Sequence, residues 1–263
     1  MDLGIRNKTA LVAAASKGLG KAAAMALARE GANVAIAARG EELLQQTANE
    51  IAGATGARVV AIPADVSVAA DIERLFGATI DALGPVDILV NNAGGPPPGV
   101  FTDMSDEDWL GSAELTLMSA IRMTRLALPG MRERQWGRII NITSMSVKQP
   151  IPNLILSNSL RSAVVSMAKT LSDQVAAEGI TVNNVCPGYI LTDRIRQLNQ
   201  SQAETDGVSS DEILQRSLSD IPAGRIGQPE ELAALIAFLA SERAAYITGT
   251  TTQVDGGRYR GLF

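Results

Sequence analysis

Short apolar runs alternate along the chain with longer stretches whose apolar residues recur every three or four positions. The short runs predict buried strands, and the longer stretches predict amphipathic helices. This alternation is typical of a parallel sheet with helices on both faces. The predicted strands are residues 9–13, 33–38, 58–62, 86–90, 137–142, 181–185 and 250–254. The predicted helices are residues 19–30, 41–51, 69–83, 106–134, 154–177 and 230–240.

Glycines mark several of the predicted boundaries. Gly31, Gly84 and Gly179 lie where helices should end, as expected for the backbone freedom needed after a last turn. Two segments lack a clear period. We interpret residues 95–99 (Gly-Pro-Pro-Pro-Gly) as a stiff loop beside the functional site, and residues 199–210 as part of a mobile lid.

Length and composition fit one globular domain. A chain of 263 residues with 46% hydrophobic and 19% charged residues can bury a substantial core, and no polar stretch is long enough to divide it. We expect an α/β fold that is Rossmann-like and doubly wound, with a mainly parallel seven-stranded sheet. Residues 1–263 then form a single domain with a substrate lid at about residues 190–222.

Charge and residue content argue against several classes of function. A net charge of −5 and a pI near 4.9, without clustered Lys and Arg, argue against nucleic-acid binding. No run reaches the roughly 18 apolar residues of a membrane span, so we expect a cytoplasmic protein. Cys186 is the only cysteine and histidine is absent, so we expect no metal site and no imidazole for proton transfer.

A glycine-containing segment follows the first predicted strand: Ala13-Ala14-Ala15-Ser16-Lys17-Gly18-Leu19-Gly20. Glycines between a strand and a helix allow backbone amides to approach a pyrophosphate, although two glycines also fit an ordinary tight turn. Arg39 follows the second strand, where an acidic residue would repel a 2′-phosphate. Together with Lys17 it favours NADP over NAD, unless both are ordinary solvated cations.

Further motifs follow in order along the chain. They are Asp65-Val66, Asn91-Asn92-Ala93-Gly94, Ser144, Pro187-Gly188, Thr192, residues 224–231 and Asp255-Gly256-Gly257. From about residue 11 to residue 257 the chain therefore resembles the short-chain dehydrogenase/reductase family, and it is similar to bacterial 3-oxoacyl carrier-protein reductases. The resemblance implies a homotetramer built partly from the helices that contain Thr116 and Arg161.

The resemblance also implies which residues contact NADP. The glycine-containing segment would hold the pyrophosphate, and later segments would contact the adenine, the ribose and the nicotinamide. Ala14 stands where the family has its first glycine, which we expect to be tolerated if its φ angle stays negative. The implied cofactor-binding residues are Ser16, Lys17, Gly18, Leu19, Gly20, Arg39, Asp65, Val66, Asn92, Ala93, Gly94, Pro187, Gly188, Ile190 and Thr192.

The candidate catalytic residues are Ser144, Ser157 and Arg161. In the family that the chain resembles, a Tyr donates a proton to the substrate oxygen, a Lys lowers the pKa of that Tyr, a Ser positions the carbonyl and an Asn supports a water relay. Ser144 matches the Ser, whereas Ser157, Arg161 and Thr116 occupy the Tyr, Lys and Asn positions. A serine hydroxyl is a far weaker acid than a phenol, but an arginine can stabilise a developing alkoxide.

These substitutions leave three functions open. We expect an atypical NADP(H)-dependent oxidoreductase acting on the carbonyl/alcohol pair of a small molecule, with the proton supplied by water or by an acidic substrate group. The alternatives are a non-redox lyase or isomerase and a catalytically inactive NADP-binding regulator. Tyr189 and Lys148 could act as substitute acids, but a pocket-lining tyrosine and a solvated lysine are the simpler interpretations.

Overall fold

The computed structural model describes residues 1–262 and shows seven parallel strands in one sheet. They are β1 (Thr9–Val12), β2 (Asn33–Ala38), β3 (Val59–Pro63), β4 (Ile88–Asn91), β5 (Gly137–Ile142), β6 (Ile180–Pro187) and β7 (Thr251–Val254). The order β3-β2-β1-β4-β5-β6-β7 confirms the predicted Rossmann-like, doubly wound fold. Every predicted strand is present with ends within two residues of the expected positions. Most of the strands are buried on both faces and therefore form continuous apolar runs.

Nine α-helices lie within residues 1–262. They are α1 (Gly18–Arg29), α2 (Glu41–Thr55), α3 (Ala69–Leu83), α4 (Asp106–Ala113), α5 (Ser119–Arg134), α6 (Ile155–Val175), α7 (Asp193–Asp206), α8 (Ser210–Ser219) and α9 (Pro229–Leu239). The prediction of one uninterrupted helix over residues 106–134 was wrong, because a π-helical turn, Glu114–Met118, separates α4 from α5. Such turns are frequent at functional sites.

The helices cover both faces of the sheet, as predicted. Successive residues of β2 alternate between two cores: Val34 and Ile36 pack in the first, and Ala35 and Ala37 pack in the second. The first core joins the sheet to α1, α2 and α9, and the second joins it to α3, α5 and α6. These cores hold the strands rigidly, so the loops at the carboxyl ends start from fixed positions.

Two helices, α7 and α8, occupy most of the predicted lid, residues 190–222. Residues 199–210, which show no clear period in the sequence, are mostly helical, since α7 continues to Asp206 and α8 begins at Ser210. The α7 sequence is polar on most sides, so it lacks the apolar stripe that predicts a helix. Its ends are instead fixed by the Thr192 side chain, which accepts from the Ile195 amide, and by Gly207 at φ 66°.

Candidate active site

The segment between β1 and α1 makes a tight turn at the carboxyl edge of the sheet. A Cβ atom at Gly20 would lie 2.4 Å from the carbonyl oxygen of Ala14, so only glycine fits there. Gly18 has a φ of 57°. Ala14 has a φ of 49°, so the negative angle at which alanine would be tolerated is not present, and its methyl group strains the turn.

Neighbouring elements hold this turn in place. The Asn92 side chain donates to the carbonyl oxygens of Ala13 and Ala14 at 3.2 and 3.3 Å. The Thr47 hydroxyl donates to the Ser16 carbonyl oxygen at 2.8 Å. The conformation of the turn is thus set by β4 and α2 as well as by its own glycines.

The predicted cofactor cations lie near this turn and near the end of β2. Lys17 precedes α1, and its side chain does not cap the helix. The first backbone amides of α1 therefore remain available to a ligand. Its ammonium group forms a 3.0 Å ion pair with Asp193, and this contact lowers the pKa of Asp193. A Cβ atom at Gly18 would lie 3.6 Å from the Thr192 methyl group. Arg39 is exposed and has no ion pair among residues 1–262.

Other residues implied in cofactor binding differ in what they offer a ligand. Asp65 already accepts from the amide and the hydroxyl of Ser67 at 2.9 and 2.7 Å. Val66 and Ile190 are 6% and 2% exposed and pack in the two cores, so only their backbone can face a ligand. The other residues implied in cofactor binding are partly or fully exposed: Leu19, Ala93, Gly94, Pro187 and Gly188.

The candidate catalytic residues lie just after β5 and on α6. Ser144 is the second residue after β5, and its Oγ accepts from the Ser146 amide at 3.1 Å. Ser157 and Arg161 share one face of α6, as their four-residue spacing predicts, and Arg161 Nε donates to Ser157 Oγ at 3.2 Å. Arg161 Nη1 donates to the carbonyl oxygens of Ile142 and Thr143 at 3.1 and 3.2 Å. Arg161 thus links Ser157 to the backbone just before Ser144.

The surroundings of Arg161 favour a fixed cation rather than a proton donor. Burial lowers its pKa to about 10, and the positive charge of Arg194 acts in the same direction. The guanidinium therefore stays protonated at neutral pH. Its Nη2 has no hydrogen-bond partner within residues 1–262, so two N–H groups remain available to a ligand.

The π-helical turn places Thr116 beside a small polar cavity of about 20 Å³. Asn91, Thr116 and Arg161 are among the residues that line it. Thr116 Oγ1 and Asn91 Oδ1 are buried without a hydrogen-bond partner in the described part of the chain. A cavity of this size can hold about one water molecule, and these atoms are suitable partners for it.

A row of buried amides crosses the sheet and was not predicted. Asn91 Nδ2 donates to Asn141 Oδ1 at 2.8 Å, and Asn141 Nδ2 donates to Asn184 Oδ1 at 2.9 Å. Asn184 Nδ2 in turn donates to Thr251 Oγ1 at 3.2 Å. The four residues are in register on β4 to β7. An asparagine at a matching position in each of three apolar strands is the sequence feature that could have predicted this row. The row orients Asn91 and leaves its Oδ1 for the cavity.

The two further titratable candidates are placed differently. The Tyr189 hydroxyl donates to Asn199 Oδ1 and so joins the chain after β6 to α7. Lys148 is partly buried rather than fully solvated, and it has no ion pair within residues 1–262. No group of three or more Cys, Asp or Glu residues in that range could hold a metal ion, and none of its helices is long and apolar enough to cross a membrane.

Known proteins match the chain over nearly its full length. A family model described as enoyl-(acyl carrier protein) reductase matches residues 13–258. The putative ketoacyl reductase of Streptomyces coelicolor is 37% identical over 253 residues, which cover 95% of this chain and 97% of that protein. The 3-oxoacyl-(acyl-carrier-protein) reductase of Vibrio cholerae is 37% identical over 257 residues, covering 98% and 99% of the two chains.

A doubly wound sheet with a glycine turn after β1 defines a Rossmann-type protein, and solved structures show the same architecture. L-Sorbose reductase from Gluconobacter frateurii, complexed with NADPH and L-sorbose, has a TM-score of 0.94 at 34% identity over 100% of both chains. Actinorhodin polyketide ketoreductase with NADPH has a TM-score of 0.92 at 37% identity over 95% of this chain and 97% of that one. The chain belongs to the short-chain dehydrogenase/reductase family.

Proposed function

We propose that the protein is an NADP(H)-dependent oxidoreductase that interconverts a small carbonyl compound and its alcohol at an atypical catalytic site. The observation that carries the proposal is the set of Arg161 contacts, which join Ser157 to the end of β5 beside Ser144. The ketoacyl and L-sorbose reductases among the relatives support a carbonyl substrate. The site is atypical because no phenol occupies the position of Ser157.

The residues around the first turn fit an NADP cofactor. Gly20 allows the start of α1 to pack tightly against the backbone of Ala14, and the uncapped amides at the start of α1 suit a pyrophosphate. Arg39 and Lys17 offer positive charge for a 2′-phosphate, although Lys17 must first leave Asp193. NADPH is bound in structures of two relatives, which supports this choice of cofactor.

The side chains of the site have distinct roles in this reaction. Bound NADPH would supply a hydride, and hence two electrons, to the carbonyl carbon, after which the carbonyl oxygen needs one proton. The Ser144 hydroxyl orients the carbonyl, because its Oγ accepts from Ser146 and its proton remains free to donate. Arg161 Nη2 stabilises negative charge on the oxygen, and Ser157 relays a hydrogen bond from Arg161.

Water is the proposed source of the proton, because Ser157 is too weak an acid and Arg161 does not release its proton at neutral pH. A water in the cavity between Thr116, Asn91 and Arg161 can donate a proton toward the product oxygen, and solvent reprotonates the hydroxide that remains. Loss of a positioned acid typically costs about 10²–10⁴ in rate. We therefore expect slow turnover compared with relatives that retain the phenol.

We also propose that residues 190–222 form a substrate lid and that the protein is a homotetramer. The lid contacts the first turn through Lys17 and Asp193. A groove of about 580 Å³ between α5 and α6 includes the apolar side chains of Leu128, Met167 and Leu171, and we assign it to a second copy of the chain. Light scattering after size exclusion should give a tetramer, whereas a monomer at every concentration would contradict this assignment.

The proposed function is tested by NADPH oxidation with a panel of ketones and aldehydes. Wild type should oxidise one NADPH per carbonyl reduced. The double variant Ser157→Tyr/Arg161→Lys should gain about 10²–10⁴ in rate on generic ketones, because it regains a positioned acid. Turnover of a substrate without NADPH oxidation would indicate a lyase or isomerase. Binding of NADPH without any reaction would indicate a regulator.

A further inference from the structure

Arg194, the second residue of α7, lies between the lid and the loop of residues 95–99. Its Nη2 donates to the Pro96 carbonyl oxygen at 2.7 Å. A Cβ atom at Gly95 would lie 3.0 Å from both Nε and Nη2, so the missing side chain of Gly95 makes room for the guanidinium. The guanidinium is therefore held in one orientation against the loop.

The same loop connects Arg194 to the start of α6. Gly99 forms a bridge with Leu154, which directly precedes α6, and the first two turns of that helix carry Ser157 and Arg161. The positive charge of Arg194 also lowers the pKa of Arg161. Its contacts with the loop that adjoins the start of α6 place Arg194 at the side of the cleft in which the carbonyl is proposed to bind.

No carboxylate of the described chain balances these charges. Neither Arg161 nor Arg194 has an ion pair within residues 1–262, and burial lowers the pKa of both. Asp193, the neighbour of Arg194, pairs instead with Lys17. Partly buried cations without a counter-ion are unfavourable unless a ligand supplies negative charge. In a chain with a net charge of −5, such a positive cleft is a local feature rather than a consequence of composition.

We propose that Arg194 binds a carboxylate of the substrate, so that the protein reduces oxo acids in preference to neutral ketones. This inference rests on the proposed function for its reduction step, with the carbonyl oxygen at Ser144 and Arg161. Nε and Nη1 of Arg194 have no hydrogen-bond partner in residues 1–262 and can form charge-assisted bonds to a carboxylate. The hydrogen bond to Pro96 already restricts the Arg194 side chain, so binding costs less conformational entropy.

The test compares acids with their methyl esters. Acetoacetate, levulinate and the two methyl esters are reduced with NADPH by wild type, Arg194→Met and Arg194→Lys. The control is Arg196→Met on the same helix, since Arg196 is exposed and pairs with Asp193. Arg194→Met should lower kcat/KM by about 10–100-fold for the acids and less than about threefold for the esters. Arg194→Lys should recover part of the loss, Arg196→Met should resemble wild type, and the NADPH Kd should not change.

Other outcomes would overturn the inference. Wild type could prefer the esters, or Arg194→Met could affect acids and esters equally. A rise in the NADPH Kd of the same size would assign Arg194 to the cofactor pyrophosphate. If wild type reduces none of these compounds, calorimetric titration of the two acids into wild type with NADPH tests carboxylate binding independently of reduction. Binding that weakens at least about tenfold in Arg194→Met would support the carboxylate site while the redox proposal fails, and absence of binding would overturn both.

Discussion

The two halves of the sheet present different chemistry at the same edge. Around β1 the candidate binding groups are mainly backbone amides near Gly18 and Gly20. Their positions depend on the conformation of the backbone. Around β5 and β6 the candidate groups are side chains, with Ser157 and Arg161 at the centre. A backbone site depends less on the chemistry of each side chain, although the methyl group of Ala14 strains the turn. A side-chain site instead changes its acid–base chemistry with each substitution, and the fold is not altered.

The largest effect is expected at the side-chain end. Arg161→Met should lower kcat/KM for carbonyl reduction by about 10²–10³, because the cation facing the developing alkoxide is removed. NADPH oxidation with the carbonyl panel measures this loss. Lys169→Met is the matched control, since Lys169 lies on the same helix and pairs with Asp173 at the surface. Full activity in Arg161→Met would contradict the proposal that side chains around β5 and β6 carry the chemistry.

Cofactor selectivity at the first turn should change by a smaller factor. Lys17→Ala/Arg39→Ala should lower the preference for NADPH over NADH by about 10-fold, because exposed cations contribute less than buried ones. Fluorescence titration with both nucleotides measures the two Kd values. Lys21→Ala is the control, since Lys21 pairs with Glu50 on α2. Equal Kd values for the two nucleotides in wild type would contradict the choice of NADP.

The pH dependence should reflect the low pKa of Arg161. The rate should be constant through neutral and mildly alkaline pH and fall as the pH rises through about 10, where the guanidinium loses its charge. Burying the charged Arg161 opposes folding; because its pKa is higher in the unfolded chain, this penalty decreases as the pH rises above about 10, where the folded protein releases the proton first. A rate profile with an ionisation near neutral pH would instead indicate a different acid.

The smallest effect concerns the strained turn. Ala14→Gly removes an unfavourable φ angle, worth about 1–2 kcal/mol, but adds about 0.5–1 kcal/mol of unfolded-state entropy. We expect a gain of up to about 1.5 kcal/mol in the free energy of unfolding, measured by urea denaturation. Ala15→Gly, at a buried position with ordinary φ, should destabilise the protein. Equal destabilisation by both variants would show that the Ala14 angle carries no strain.

The sequence predicted the positions of the strands well, because buried parallel strands leave apolar runs. The sequence did not predict helical features that do not depend on the period of apolar residues. The polar helix α7 depends on Thr192 and Gly207 at its ends, and the π-helical turn at Glu114–Met118 arises within a continuous amphipathic pattern. Neither feature changes the period of apolar residues, so both were missed.

The candidate site was predicted unevenly for a related reason. Spacing along α6 was enough to bring Ser157 and Arg161 together. Arg194 was not predicted, because its importance depends on Gly95, which lies about a hundred positions earlier in the chain and next to it in space. The positive φ angle of Ala14 was also not predicted, since alanine rarely adopts it and the period of apolar residues does not report it.

We propose that this site transfers a hydride from NADPH although it lacks the phenol. Reaction of wild type with NADPH deuterated at each C4 position in turn, followed by mass spectrometry of the alcohol, tests it directly. We predict one deuterium on the carbinol carbon from one of the two cofactors, and loss of this product in Arg161→Met. An unlabelled product, or NADPH that stays bound and unoxidised with every carbonyl compound, would contradict the account.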